Sequence, residues 1–390
     1  MELEMSQKSK EEVLKKMRWR YAGRGREGRS RLLDEFCELC GYERKYAIKL
    51  LSSKRRPSGH AGKRGGSEAK YGEAEGKVLK AIWLGAEQPC KSRLKAAVGI
   101  WLPHYELERG SLECESREKL LRMSATTMER LLSSFKARVG SRGRCGTRPG
   151  TLLRTQIPIR TEHWDVAGPG WLEADTVAHC GGSMEGDFCW SVTLTDVHTQ
   201  WTETRAVWNK GQHGVQKRIA EIEQILPFEI LGFDSDNGGE FLNYHLLDYF
   251  RVRPRPVAFT RSRPYRKNDN ARVEQKNWTH VRQLVGYGRL GEPWQAEALN
   301  ELYAKEWSQF RNFFCPAMKH LRTESEGSKK RRIYDQPTTP FERLKACSGV
   351  DPTGLAALES VYASINPFQL KRLIETKLSK LLRQPTRAAA

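Results

Sequence analysis

The sequence lacks any apolar run near the roughly 18 residues that a membrane span needs. Its opening, Met1-Glu-Leu-Glu-Met-Ser-Gln-Lys8, holds no apolar stretch of the secretory kind. Cysteine is sparse and shows no pairing pattern: nine residues, an odd number, are scattered through 390. Only Cys37-Glu-Leu-Cys40 has metal-like spacing, and no second Cys-x-x-Cys or His pair follows it. On a helix those two positions share a face, so two core thiols are expected there rather than zinc. Apolar residues make up 38% of the chain, little for one compact globule but enough for several small cores joined by basic linkers. These absences argue against an integral membrane protein, a secreted disulfide scaffold and an acidic disordered tail. They leave a soluble, cytoplasmic protein as the expectation.

Negative charge is also scarce overall, with 67 Lys+Arg against 47 Asp+Glu and a net charge of +20. Such a balance points to a polyanionic partner. The balance reverses in one stretch. Residues 161–250 carry 4 basic and 15 acidic side chains, whereas residues 1–160 carry 36 and 19. DNA would repel an isolated acidic block. A site that gathers carboxylates around divalent cations would account for it, because the metal inverts the local charge. An ordinary acidic surface is the simpler alternative.

Three regions follow from periodicity. The first is helical and basic. Ser30 to Cys40 places Leu32, Leu33, Phe36, Leu39 and Cys40 on one stripe, Gly41 supplies a turn, and Glu43 to Leu51 forms a second short helix. That is a helix-turn-helix arrangement, with Arg44, Lys45 and Lys49 on the outer face of the second helix. A Gly/Ser-rich cationic linker, Ser52 to Ser67, follows. Further helices are expected over Glu73–Leu84, Ser92–Ile100, Ser116–Leu121 and Ala125–Phe135. Ser124 caps the last, and Thr126, Thr127 and Arg130 face outward. Residues 138–160, with six arginines, read as an extended tether that follows phosphates.

The centre switches to a period of two. Strands are expected over 171–180, 187–196, 201–208, 229–234 and 256–259, with helices over 213–226, from Gly238-Gly239 to about 250, and over 268–285. The order βββαβαβα is that of an α/β, ribonuclease-H-like core: a mixed five-stranded sheet with flanking helices. Asp175 then lies mid-strand, Asp236 follows the fourth strand, and Glu274 sits on the last helix. The fold would bring the three carboxylates together, and hard oxygen ligands suit two Mg²⁺ or Mn²⁺ ions. Glu173 and Asp234 lie two residues before candidates, share their strand faces, and are real rivals. Asp236 is preferred to Asp234 because it opens the Asp-Asn-Gly-Gly turn. Arg261, Arg263, Arg266 and Lys267 are expected on a DNA-contacting loop beside the site. Beyond Asn312 the chain reads as a basic linker, including Lys329-Lys-Arg-Arg332, followed by short helices. The last helix carries an apolar stripe fit either for a second protomer or for the core.

Asp236-Asn-Gly-Gly-Glu-Phe241 and Asn268-x-Asn270-x-x-Val273-Glu274-x-x-Asn277 resemble the signatures of the DDE integrase/transposase family, with Asp175-Thr176 similar to its first catalytic strand. Asp236 and Glu274 have 37 residues between them, close to that family's spacing. No His/Cys zinc module of the retroviral type is visible, so the resemblance is to bacterial insertion-sequence transposases. It implies Asp175, Asp236 and Glu274 as catalytic and metal-binding residues. It also implies cleavage of transposon ends, 3′-OH strand transfer into target DNA, and a homo-oligomer on nucleoid DNA. The expected domains are 1–58 and 71–138 for DNA binding, 161–300 for catalysis, and 312–390 for the linker and tail. Two other readings remain: a DNA-binding regulator on an inactive core, and a nuclease without strand transfer.

Overall fold

The computed structural model describes residues 6–52, 71–135, 166–262, 271–326, 329–348 and 350–383. They fall into two compact units, Met1–Lys70 and Tyr71–Ala390.

The first unit holds α1 (Gln7–Ala22), α2 (Arg26–Cys40) and α3 (Arg44–Ser52). Met17 of α1 joins Leu32, Leu33, Phe36, Cys40, Ala47 and Leu51 in one small core. Gly41 ends α2 in the left-handed region, at φ 66°, and its N–H closes on the Cys37 carbonyl. Leu39, expected inside, is 49% exposed. At about 100° per residue it falls on the flank of the stripe centred between Leu33 and Phe36.

The second unit begins with α4 (Glu73–Gly85), α5 (Lys91–Arg109), α6 (Cys114–Arg122) and α7 (Ala125–Leu132). The Ser124 Oγ caps α7 by accepting from the Thr127 N–H at 3.2 Å. The α/β centre follows: β1 (Trp171–Ala178), β2 (Cys189–Asp196), β3 (Thr202–Trp208), α8 (Gln212–Glu223), β4 (Gly232–Ser235), α9 (Tyr244–Arg251) and β5 (Ala258–Arg261). Sheet order is β3-β2-β1-β4-β5. The first three strands form an antiparallel meander, and β1, β4 and β5 run parallel. This is the mixed five-stranded sheet with flanking helices that the sequence predicts. At the β1–β4 pairing, Trp171 lies opposite Gly232, and a Cβ on Gly232 would sit 2.2 Å from the indole. Only glycine lets β4 lie this close to β1.

A helix over 271–285 comes next, in three segments: α10 (Ala271–Lys276), a wider π-turn (Asn277–Arg282) and α11 (Gln283–Val285). After it come α12 (Pro293–Leu302), a second π-turn (Tyr303–Trp307) and α13 (Ser308–Phe314). Where a basic linker is expected, β6 (His320–Glu326) and β7 (Lys329–Tyr334) pair as an antiparallel hairpin. The run of cations hides the strand in the sequence. Cross-strand pairs such as Glu324 opposite Arg331 offset the charge. The unit closes with α14 (Pro340–Lys345), α15 (Pro352–Ser364) and α16 (Pro367–Arg383).

Two apolar layers enclose the sheet. On one face Leu172, Ala174, Val192 and Phe233 pack with Val215, Ile219 and Phe250 of α8 and α9. On the other, Cys189, Trp201 and Ala206 join a cluster that runs through α4, α5, α7, α12, α13, α14 and α16. Trp101 lies fully buried within it, donates through Nε1 to the Phe314 carbonyl at 2.9 Å, and meets Phe368 edge-on at 4.9 Å. The stripe of α16 is covered in part by its own chain: Leu370, Ile374 and Leu381 are buried, whereas Leu373 and Leu382 are exposed. Among the described residues, no helix is long and apolar enough to cross a membrane.

Candidate functional site

Strand alternation decides which side of β1 carries the acids. Leu172 and Ala174 point into the α8–α9 layer, so Glu173 and Asp175 face the opposite side, toward the helix over 271–285. Asp175 is half-buried. Its Oδ1 accepts from the Thr176 N–H at 2.7 Å and its Oδ2 from Asn277 Nδ2 at 2.7 Å. Burial first, then the neighbouring charge of Asp236, with Glu274 and Glu240 adding, pushes its carboxyl up to about 8.

Asp236 follows the end of β4. Its Oδ1 accepts from the Gly238 N–H at 2.9 Å, an Asx turn that carries the chain off the sheet. Burial, then Glu240, pushes its carboxyl up to about 6, against the pull of the Gly238 N–H and Lys210. Glu274 is exposed in the first turn of α10 and lies within electrostatic reach of Asp175. Of the three carboxylates singled out in the sequence, Asp236 and Glu274 thus both act on Asp175 through their charge.

The two rivals are occupied elsewhere. Glu173 and Asp234 are opposite each other in the β1–β4 register, and both are fully buried. Asp234 Oδ1 accepts from the Thr260 hydroxyl at 2.6 Å, and Glu173 Oε2 from the Val273 N–H at 3.4 Å. Glu173 thus anchors the first turn of the Glu274 helix to β1.

Sequence reasoning missed Glu240 and Lys210. Glu240 is 2% exposed. Its Oε1 accepts from Lys210 Nζ at 2.6 Å and from Thr176 Oγ1 at 3.0 Å, while Oε2 is buried without a hydrogen-bond partner. A Cβ on Gly238 would press within 2.5 Å of this carboxylate. The Asp-Asn-Gly-Gly-Glu run contained the signal, since its second glycine is followed by a fourth acid.

Other expected residues are more dispersed. Arg44 is engaged by an ion pair with Asp34 and donates to Ser30 Oγ at 2.8 Å, while Lys45 and Lys49 are exposed. Thr126 and Arg130 are exposed, and Thr127 is half-buried beside Ser124. Arg261, expected on a loop, is instead the last residue of β5 and buried. It donates to Asn237 Oδ1 at 3.0 Å, bracing the turn after Asp236. Arg263, Arg266, Lys267 and the tether over 138–160 lie outside the described residues. His179 is also buried, with its Nε2 at 2.8 Å from Ser191 Oγ, which in turn meets the Tyr303 hydroxyl at 3.0 Å.

Among the described residues, no group of three or more His, Cys, Asp or Glu is packed tightly enough to hold a metal ion. The donor chemistry nevertheless fits a divalent cation. Asp175, Asp236 and Glu240 repel one another, and the Glu240 Oε2 atom is orphaned beside them. A hard cation would relieve both conditions.

The strand order and flanking helices are those of a ribonuclease-H-like α/β core. The chain is 37% identical over 344 residues to the uncharacterized protein y4rM of Sinorhizobium fredii, covering 87% of its own length and 96% of that relative, and it belongs to the same family. No family model matches it. Among solved structures it aligns with the catalytic core domain of BIV integrase, at 14% identity and TM-score 0.29, covering 50% of this chain and 99% of that one. It also aligns with a simian T-cell lymphotropic virus intasome in complex with a PP2A regulatory subunit, at 10% identity and TM-score 0.32, covering 60% and 71%. Likeness at that level adds nothing to the strand order.

Proposed function

We propose that this protein is a DNA transposase of the DDE class, cleaving element ends and joining the freed 3′-OH to target DNA. The observation that supports the reading best is the placing of Asp236 and Glu274 within electrostatic reach of Asp175, whose carboxyl is pushed up to about 8 by burial first and then by the charge of Asp236. Two Mg²⁺ or Mn²⁺ ions held by the three carboxylates would activate the attacking oxygen and stabilise the leaving oxygen of phosphoryl transfer. Asn277 orients the Asp175 carboxylate through its Nδ2 donor. The Gly238 N–H fixes Asp236. Lys210 and Thr176 hold the Glu240 carboxylate in place through its Oε1 and offset part of its repulsion of the two aspartates. The exposed cations of the first unit, Lys45 and Lys49, with Thr126 and Arg130 of the second, supply contacts to DNA. Two ends must be joined, so the working form is a homo-oligomer on DNA.

The test uses the full chain and DNA carrying the inverted repeats that flank its gene. Nicking and end-joining are expected with Mg²⁺ or Mn²⁺, both lost in EDTA and in Asp175→Asn, with DNA binding retained. Binding without nicking would leave a DNA-binding regulator. Nicking without joining would leave a nuclease. Activity surviving chelation would remove the metal mechanism.

A further inference from the structure

A second feature of the same unit concentrates the opposite charge. A cavity of about 230 Å³ lies where the end of α4 and the start of α5 meet α13 and the helix over 271–285; Arg93, Arg311, Gln275, Thr279 and Trp278 line it. It is smaller than the roughly 300–1,000 Å³ of sites for drug-sized ligands, so it suits one small group. A narrower recess shares Arg93, Arg311, Gln275 and Thr279 and adds Lys276 and His280. Lys276 and His280 are 6% and 3% exposed.

These cations lack the acids that buried cations normally require. The Nε atoms of Arg93 and Arg311 are buried with no hydrogen-bond partner. Lys276 Nζ has the Gln200 carbonyl at 3.2 Å, and Arg311 lies over the Trp307 ring, 5.5 Å from its centroid. Glu87 is the one acid among the residues lining either space, and it is ion-paired with Lys371. Arg343, whose charge also reaches Lys276, is paired with Asp335. Burial, with Arg311 adding, holds the Arg93 guanidinium below its usual range. Two guanidinium groups with open Nε donors therefore border a small polar space, and Lys276, which burial first and then Arg311 hold well below its usual range, lines the narrower recess beside it. Gln275 and Thr279 add amide and hydroxyl groups, and Trp278, 44% exposed, stands beside them.

We infer that this cavity is a phosphate-binding site in which the guanidinium groups of Arg93 and Arg311 grip the anion and Lys276 supports them from the recess. Guanidinium donors match phosphate oxygens two at a time. The ligand is a phosphate group, carried by the DNA backbone or free in solution. The site shares one helix with Glu274 and Asn277, so a backbone phosphate seated here would register the strand against the acidic recess. Its existence does not depend on the proposed cleavage.

The experiment uses the full chain in EDTA, which separates this site from any metal-dependent reaction. Inorganic phosphate is titrated at constant ionic strength against chloride, with the melting temperature as readout. Wild type is expected to be stabilised. Arg93→Gln and Arg311→Gln are each expected to weaken phosphate binding by about tenfold or more, and Arg93→Lys to retain part of it. Without phosphate, both glutamine variants are expected to melt at or above the wild-type temperature, because each removes an unpaired buried charge. Binding of short duplex DNA against salt then identifies the source. A log–log slope shallower by about 0.9 in the variants means a backbone phosphodiester; an unchanged slope with a lost phosphate response means free phosphate. No phosphate-specific stabilisation of wild type, together with unchanged DNA salt slopes in both variants, would overturn the inference.

Discussion

Asn277 donates through Nδ2 to Asp175 Oδ2 at 2.7 Å, joining the first residue of a π-turn to the middle of β1. The wider turn is where a helix commonly departs from regularity at a working site. Asn277 Oδ1 is itself buried without a partner, so the amide is committed to this one contact. Replacing it by Ala is expected to leave the fold intact and to raise the Mg²⁺ concentration needed for cleavage by roughly 10–100-fold, as for other residues that orient metal ligands. A metal activation curve for Asn277→Ala checks this, and one superimposable on wild type would remove the positioning role.

The pair Asp234 and Asp236 separates structure from chemistry. Asp236→Asn is expected to abolish cleavage and joining without lowering the melting temperature, since it relieves repulsion with Glu240. Asp234→Asn disturbs a fully buried acceptor of the Thr260 hydroxyl. It is expected to cost about 1–3 kcal/mol of stability while the folded fraction stays active. Single-turnover cleavage and denaturation of both variants decide the matter. A silent Asp236→Asn beside an inactive, stable Asp234→Asn would reverse the assignment.

Lys210 and Glu240 form an ion pair with side chains 22% and 1% exposed. Lys210→Met strands a buried carboxylate and is expected to cost about 3–5 kcal/mol. Glu240→Gln is expected to cost less, and the double variant should recover part of the Lys210→Met loss. Urea denaturation of the three variants measures the coupling; strict additivity would mean the pair contributes nothing.

His179 supplies a pH test away from the acids. Burial, with Arg282 adding, pushes its imidazole down from 6.5 to about 3. The folded state therefore resists protonation. The stability this group contributes is complete above pH 6.5 and is lost as pH falls from 6.5 toward 3. Below 6.5 the wild type is expected to lose about 1.4 kcal/mol per pH unit through this residue. His179→Gln, which can still meet Ser191, should lack that component. Chemical denaturation at pH 7 and pH 5 compares them, and equal losses would refute the role.

Much of the core is legible from local pattern. β-branched and aromatic residues alternate through 171–208, and the sheet follows from them because each strand can be read without its neighbour. Errors fall where a partner decides the outcome. Gly238-Gly239 reads as the opening of a helix, yet α9 begins only at Tyr244, where Asn243 Oδ1 accepts from the Leu246 N–H at 2.9 Å. The glycines form the turn that aims Asp236. β6 and β7 are hidden because neither strand is apolar, and only their pairing offsets the charge. The chosen carboxylates are visible through motif spacing. Glu240 and Lys210 meet across 30 residues of sequence, and Arg93 and Arg311 lie on helices much farther apart. The local run marks Glu240 as an acid near the turn, but no local pattern marks its pairing with Lys210 or the meeting of the two arginines.

The burial of Trp101 also has a consequence for synthesis. Its indole donates to a carbonyl 213 residues further along and packs on Phe368 beyond that. During translation α5 exists long before either partner leaves the ribosome. The large apolar face around Trp101 must stay uncovered for most of that time, a delay that contacts of long sequence separation impose on folding. Nascent chains stalled before Pro367 should expose Trp101 to a collisional quencher, and chains released past Arg383 should protect it.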